Sequence, residues 1–229
     1  MPASGIDAVV FDVLGTLVDE SAGIRAGIHG LAPSLADPAV EELVRLWHRH
    51  VDGEQQRILD GGRAYVVSDV LDREAARLVA DAAGIGDPAA LALSGRRPPA
   101  WPDSVPGLAR LAARFPLIGL SNASRRALLG LNAHAGLRWH QALSAEDVRA
   151  YKPAAVVYEL AVTVSGVPPE RLLMVAAHAW DLRGAQNLGL RTAYVARPVG
   201  DPPTSSDRFD HYADDLADLA DQLDAPAGP

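Results

Sequence analysis

Ala8-Val9-Val10-Phe11-Asp12-Val13-Leu14-Gly15-Thr16-Leu17 is the stretch on which the reading of this chain turns. Four apolar residues in succession read as a short strand buried on both faces, the pattern of a parallel sheet. The strand carries one carboxylate, Asp12, to its tip, where a Gly-Thr turn follows. An acid delivered there suits a nucleophile or a metal ligand. It serves equally well as the capping residue of a strand-to-helix turn. The choice depends on whether the later chain brings partners to Asp12.

Beyond Asp19 the strand pattern stops. Residues 37–59 carry Val40, Leu43, Val44, Trp47, Val51 and Ile58 at helical spacing, and Asp37-Pro38 reads as an N-cap followed by a first-turn proline. A second helix is expected over 67–83, with Val70, Leu71, Ala75, Leu78 and Val79, and a short one over 88–93. No parallel-strand signal occurs between 20 and 100, so this region reads as an all-helical insert. A linker at 19–23 enters it, and the Pro-rich run Ser94-Gly95-Arg96-Arg97-Pro98-Pro99-Ala100-Trp101-Pro102 leaves it. From residue 103 the pattern alternates. Helices are expected over 104–114, 124–135, 153–165, 181–188 and 214–223, strands over 116–120, 139–143, 171–177 and 192–196, and a frayed tail over 224–229. Such alternation implies an α/β protein with a parallel sheet covered on both faces.

Composition bounds the function. The chain has 229 residues, 48% hydrophobic and 22% charged, enough for a sizeable core. No apolar run has the length of a membrane span, and the N-terminus lacks a signal-peptide pattern, so the cytoplasm is the default location. Cysteine is absent, which excludes disulfides, thiol catalysis and Cys-based metal sites. A net charge of -8 without a basic run argues against nucleic acid as a partner. Of 21 Lys and Arg residues only Lys152 is lysine, and it stands in Tyr151-Lys152-Pro153. A lysine is a compact charge on a flexible stem whose pKa shifts more readily than that of arginine.

Ligands of parallel sheets bind beyond the carboxyl ends of the strands. Asp12 follows the first strand, Ser121 and Asn122 the second, Asp181 the fourth, and Lys152 lies in a loop before a helix. All fall on one edge of the sheet. Singly each has an ordinary reading as a cap or a surface charge; jointly two carboxylates and the sole lysine fit a site. Asp12 would be the nucleophile, forming a covalent intermediate that water cleaves. Lys152 would offset the charge of an anionic substrate. Asp181 would hold Lys152 and help to orient or activate water, and Thr16 with the turn amides could stabilise charge on the ester carbonyl oxygen.

The chain resembles the haloacid dehalogenase superfamily over nearly its full length. Asp12-Val13-Leu14-Gly15-Thr16-Leu17 is similar to its first motif, Leu120-Ser121-Asn122 to the second, Tyr151-Lys152-Pro153 to the third and Val175-Ala176-Ala177-His178-Ala179-Trp180-Asp181 to the fourth. The resemblance implies a Rossmann-like core, residues 1–19 and 101–229, and a helical cap with its linkers, residues 20–100. Phosphatases of the superfamily typically carry a second Asp two residues after the nucleophile, which protonates the leaving alcohol; Leu14 stands there and cannot. They also usually complete a magnesium site with an acid of the fourth motif. Asp12 and Asp181 alone make a poor shell for that cation, which wants nearly octahedral oxygen ligands. A halide leaving group needs no proton. The Tyr151 to Tyr158 spacing and the Ala179-Trp180-Asp181 ending further resemble type II 2-haloacid dehalogenases, which act without metal or other cofactor.

By that resemblance, Asp12 displaces halide from C2 of a short 2-haloacid, and water releases the 2-hydroxy acid with inverted configuration. Thr16, Lys152 and Asp181 are the implied catalytic partners. The implied substrate-binding residues are Val13, Leu14, Ser121 for the substrate carboxylate, Asn122 for the departing halide, Tyr158, His178 and Trp180. The cap is implied to add Trp47, His48 and Arg49. Type II relatives usually place an Arg just after a cap Trp. Here His48 takes that place, and Arg49 is turned by about 100 degrees from it. Ala176 and His178 stand where relatives usually carry Ser and Asn. A homodimer is implied by analogy. Two other readings stay open: a magnesium-dependent phosphatase-like hydrolase, and a non-catalytic binding relative.

Overall fold

An unbroken apolar strand must be covered on both faces, and β1 (Ala8–Phe11) lies fully buried in the middle of a six-stranded parallel sheet. The structure, a computed structural model, describes residues 5–94 and 96–225. The strand order is β3 (Gln141–Ser144), β2 (Leu117–Ser121), β1, β4 (Leu172–Ala176), β5 (Arg191–Val195), β6 (His211–Ala213). β1 pairs with β2 through Val10 and Ile118 and with β4 through Val10 and Met174.

The two-residue period of the strands divides the core. Val9 and Phe11 turn to one face with Leu117, Leu173 and Val175. Ala8 and Val10 turn to the other with Ile118, Leu172 and Met174. Helices α5 (Ser104–Ala112), α6 (Arg125–Ala135) and α9 (Leu216–Asp224) cover the first face, through Leu108, Leu128 and Leu219 among others. Helices α7 (Ala155–Ser165) and α8 (Ala179–Asn187) cover the second, through Val157, Tyr158 and Leu182.

Between β1 and α5 the chain forms four helices, α1 (Glu20–Leu31), α2 (Asp37–Leu59), α3 (Ser68–Ala83) and α4 (Pro88–Ser94), around their own apolar cluster of Ile24, Ile28, Val44, Trp47, Ala75, Val79 and Leu91. Its entrance corrects one expectation. Residues 19–23 are a helix start rather than a linker: the Asp19 carboxylate accepts the Ala22 N–H at 2.9 Å and caps α1, whose Ile24 and Ile28 are buried one turn apart. A second correction concerns α2, where the N-cap is Ala36 and Asp37 lies in the first turn without a capping hydrogen bond. The entrance and exit of the helical region are tied together. Val18 bridges Ala100, the Asp19 N–H donates to the Pro99 carbonyl at 2.9 Å and the Trp101 N–H to the Leu17 carbonyl at 3.1 Å. Gly95 of the expected exit linker and residues 226–229 of the expected tail lie outside the described residues.

Elsewhere the boundaries move by a few residues. The helix expected from 153 begins at Ala155, and α8 begins at Ala179, so Asp181 sits inside its first turn. β6 has three residues, of which only Ala213 is buried, too short and too polar a pattern to signal a strand. Among the described residues no helix is long and apolar enough to cross a membrane.

Candidate active site

β1 ends at Phe11, and the Asp12 N–H still donates to the Val175 carbonyl at 2.9 Å, so the backbone that carries the carboxylate is fixed by the sheet. The chain then turns sharply: the Leu17 and Val18 N–H groups both return to the Val13 carbonyl. Gly15 has φ of 78°, a left-handed conformation that glycine adopts without steric cost. The turn sends Thr16 back beneath Asp12. Its hydroxyl donates to Asp12 Oδ2 at 2.6 Å and accepts the Ala177 N–H at 2.9 Å, which ties β1 to the end of β4.

Lys152 reaches the same carboxylate from the loop before α7. Its Nζ donates to Asp12 Oδ1 at 2.9 Å and to Asp181 Oδ2 at 2.7 Å, and its backbone N–H donates to Asn122 Oδ1 at 2.9 Å. The Tyr158 hydroxyl donates to Asp181 Oδ1 at 2.6 Å. All of these groups are removed from solvent: Asp12 is 6% exposed, Lys152 2% and Asp181 0%. Burial alone would push the Lys152 ammonium down, but Asp12 and Asp181 outweigh it and hold the group protonated, with its pKa above the ordinary value. Burial pushes the Asp181 carboxyl up against the pull of Lys152. Burial and the adjacent Asp181 raise the Tyr158 phenol, which stays a donor. Gly184 leaves room for this arrangement, since a Cβ there would come within 2.5 Å of the Tyr158 hydroxyl.

A cavity of about 640 Å³ opens between the sheet edge and the helical region. Of the residues expected at the site, Asp12, Leu14, Trp47, His48, Asn122, Lys152, His178 and Trp180 line it. Thr16, Asp181 and Tyr158 stand behind that wall and do not line the cavity: Thr16 bonds Asp12, Asp181 bonds Lys152, and Tyr158 bonds Asp181. Asp181 is fully buried and accepts one hydrogen bond at each oxygen, from Lys152 and from Tyr158. Three expectations are corrected. Val13 is core, packed with Phe11 and Leu17. Ser121 is fully buried, and its hydroxyl accepts the Ala123 N–H at 3.1 Å. Arg49 is exposed and points away from the cavity wall that Trp47 and His48 form.

The wall above Asp12 belongs mainly to α2. Trp47, His48, Val51, Asp52, Gln55, Gln56 and Leu59 repeat at one and three to four residues, a single stripe along the helix. The helical spacing in the sequence carries Trp47 and Val51 of this stripe, whereas its polar members Asp52, Gln55 and Gln56 add nothing to an apolar pattern. Gln55 Oε1 accepts from Asn122 Nδ2 at 3.0 Å and joins the helical region to the sheet edge. Glu20, Ser21, Gly200 and Asp201 also line the cavity. Gly200 and Asp201 come from the irregular segment after β5, which carries no periodic signal. Among the described residues, Lys152 is the only Lys or Arg that lines the cavity. Burial pushes the His48 imidazole below its ordinary pKa, and its Nε2 lies 3.0 Å from Ser21 Oγ. Burial and the Asp52 carboxylate raise Glu20 to about 7. Among the described residues no group of three His, Asp or Glu side chains is placed to hold a metal ion.

A profile described as haloacid dehalogenase-like hydrolase matches residues 6–189. Over 226 residues the chain is 29% identical to an (S)-2-haloacid dehalogenase of Pseudomonas putida, which spans 95% of this chain and 96% of that protein. The crystal structure of a defluorinating L-2-haloacid dehalogenase matches with a TM-score of 0.87 and 33% identity, over 98% of each chain. The L-2-haloacid dehalogenase of Xanthobacter autotrophicus, solved with chloropropionic acid covalently bound, matches with a TM-score of 0.83 and 26% identity, over 97% of this chain and 100% of that one.

Proposed function

The chain belongs to the haloacid dehalogenase-like hydrolases, and we propose that it hydrolyses the carbon–halogen bond of a short 2-haloacid through an ester on Asp12. The observation that carries this reading is the pairing of Asp12 with Lys152 at 2.9 Å beside Leu14, an apolar residue. The lysine supplies the positive charge that an acid-lined cavity otherwise lacks. No carboxyl two residues after Asp12 is available to protonate a leaving oxygen, so a leaving group that departs as a stable anion suits the site.

In the first step an Asp12 oxygen attacks C2 from the side opposite the halogen. The C–O bond forms as the C–halogen bond breaks, and the halide leaves with the bonding pair. The configuration at C2 inverts. Lys152 has a third N–H that neither Asp12 nor Asp181 takes, and this donor holds the substrate carboxylate or the developing ester. Thr16 keeps the attacked carboxylate in one rotamer and, once the ester forms, stabilises charge on its carbonyl oxygen. Asp181 and Tyr158 act through Lys152 by fixing its position. Leu14, Trp47 and Trp180 supply an apolar enclosure in which the departing halide faces Asn122 and His48. In the second step water attacks the ester carbonyl carbon and returns the Asp12 carboxylate.

Halide release from (S)-2-chloropropionate, chloroacetate and fluoroacetate, measured with EDTA present, tests the reaction. Release of one halide per 2-hydroxy acid formed is expected. Silence across these and a broader 2-haloacid panel, with magnesium-dependent cleavage of phosphate esters, overturns it.

A further inference from the structure

Asn122, which faces the departing halide in the reaction given above, is held at both ends of its carboxamide. The Lys152 backbone N–H donates to Oδ1 at 2.9 Å. An amide N–H cannot accept, so the atom that faces it is the oxygen, and Nδ2 is turned to the other side. There Nδ2 donates to Gln55 Oε1 at 3.0 Å. Gln55 is oriented by the same rule, since only its oxygen can meet a donor. Gln55 takes one of the two Nδ2 hydrogens. Among the described residues the other has no protein acceptor, and both side chains line the cavity.

The two contacts have different effects. Lys152 donates from the residue whose Nζ also reaches Asp12 at 2.9 Å, so Oδ1 is placed relative to the nucleophile. One bond at Oδ1 still leaves the amide plane free to turn, because the torsion between an sp³ carbon and a carboxamide is broad. The second bond, at Nδ2, removes that freedom. It comes from α2, on the stripe that also carries Trp47 and His48. Charge makes the orientation matter. Lys152 is the only Lys or Arg among the described residues at the cavity, and Asp12 and Asp181 take two of its N–H groups. The halide therefore relies on neutral donors such as the free Nδ2–H, and such bonds weaken steeply when misaligned.

We propose that Gln55 is a positioning residue for the first step: it fixes the plane of the Asn122 carboxamide and so keeps the free Nδ2–H on the departing halide. This role rests on the reaction given above. Gln55 exchanges no proton and forms no bond to the substrate; it acts through Asn122. Because Gln55 belongs to α2, the halide site is complete only while α2 sits on the sheet edge. Chloride concentrates its charge in a smaller radius than bromide and gains more from a hydrogen-bond donor. Loss of the orientation therefore falls more heavily on a chlorinated substrate than on its brominated analogue.

The test uses the full chain in single turnovers with enzyme in excess, which separate halide release from decay of the Asp12 ester. Gln55→Met keeps the length of the side chain and removes the acceptor. Chloride release from (S)-2-chloropropionate should slow by roughly 3- to 10-fold, the range of one neutral hydrogen bond. Bromide release from (S)-2-bromopropionate and decay of the ester should each stay within about twofold of wild type. In an Asn122→Ala background, Gln55→Met should add less than about twofold, because a residue that acts through Asn122 has nothing left to position. Equal slowing of chloride and bromide release, equal slowing of ester decay, or a full Gln55→Met effect without Asn122 overturns the assignment. A merely structural defect would give the first two. Should Asn122→Ala fail to fold or release no halide, the chloride-to-bromide ratio and the ester decay of Gln55→Met decide alone. In each of those outcomes wild-type halide release still stands; its absence is the separate failure of the proposed reaction.

Discussion

The two sides of the cavity are built on different terms. On the sheet side, Asp12, Thr16, Lys152, Tyr158 and Asp181 form a closed set in which each carboxylate oxygen has a donor, and every member is buried. On the helical side, Glu20 and Asp52 line the same space, and among the described residues neither side chain has a hydrogen bond or an ion pair. The sheet side is over-determined by strands that meet at one edge, so its geometry is fixed before any ligand arrives. The helical side meets it through a few polar contacts, of which Gln55 to Asn122 is the one at the cavity. The comparison assigns the chemistry to the sheet and the choice of substrate to α1 and α2.

The strongest way to break that contrast is Lys152→Met. It leaves the buried Asp12 and Asp181 carboxylates without their shared cation, so chemical denaturation should show a loss of about 3–5 kcal/mol, and halide release should vanish. A stable, active variant would mean that the closed set is not what fixes the sheet side. Tyr158→Phe removes one donor from Asp181 Oδ1 and should cost about 1–3 kcal/mol. Because Tyr158 touches Asp181 rather than the cavity, kcat should fall while KM stays within about twofold.

The helical side should answer to pH instead. Glu20 is raised to about 7, and Asp72 of α3, which lines a small neighbouring cavity with Glu20, to about 8; burial is the first cause for both, followed by Asp52 at Glu20 and by Glu20 at Asp72. Asp69 adds to the shift at Asp72, and Arg96 opposes it. Between about pH 5 and 8 the unfolded chain has lost these protons while the folded chain retains them, so stability falls as pH rises through that window. Thermal melts should show Tm declining from pH 5 to pH 8 in the wild type, with Glu20→Gln and Asp72→Asn each removing about half of the decline. An unchanged slope in the double variant would locate the titrating groups elsewhere. The smallest effect belongs to Arg49→Ala, expected within about 0.5 kcal/mol and without change in halide release, because the side chain is exposed and off the cavity.

The same division governs how much could be read from the sequence. Asp12, Lys152 and Asp181 were legible because each stands at a strand end or in a loop whose place the alternation of strands and helices dictates. The helical insert was legible from Val40 to Leu59 and from Val67 to Ala83, where apolar spacing is regular. α1 escaped because Asp19-Glu20-Ser21-Ala22-Gly23 looks like a linker until Ile24 and Ile28 are recognised as one face. Ser121 and Arg49 were assigned by motif position, and neither backbone register nor solvent exposure can be read from a motif. Gly200 and Asp201 reach the cavity by a long irregular segment whose course is set by tertiary contacts with Ala177 and Ala179.

The central claim is that the Asp12 carboxylate itself becomes esterified and is regenerated by water. A single turnover of a 2-haloacid in ¹⁸O-labelled water, followed by proteolysis and mass spectrometry, tests it directly. The account predicts one heavy oxygen in the peptide containing Asp12, and none in the 2-hydroxy acid of that first turnover. Heavy oxygen in the product with an unlabelled Asp12 would contradict it, because water would then have attacked the substrate carbon itself.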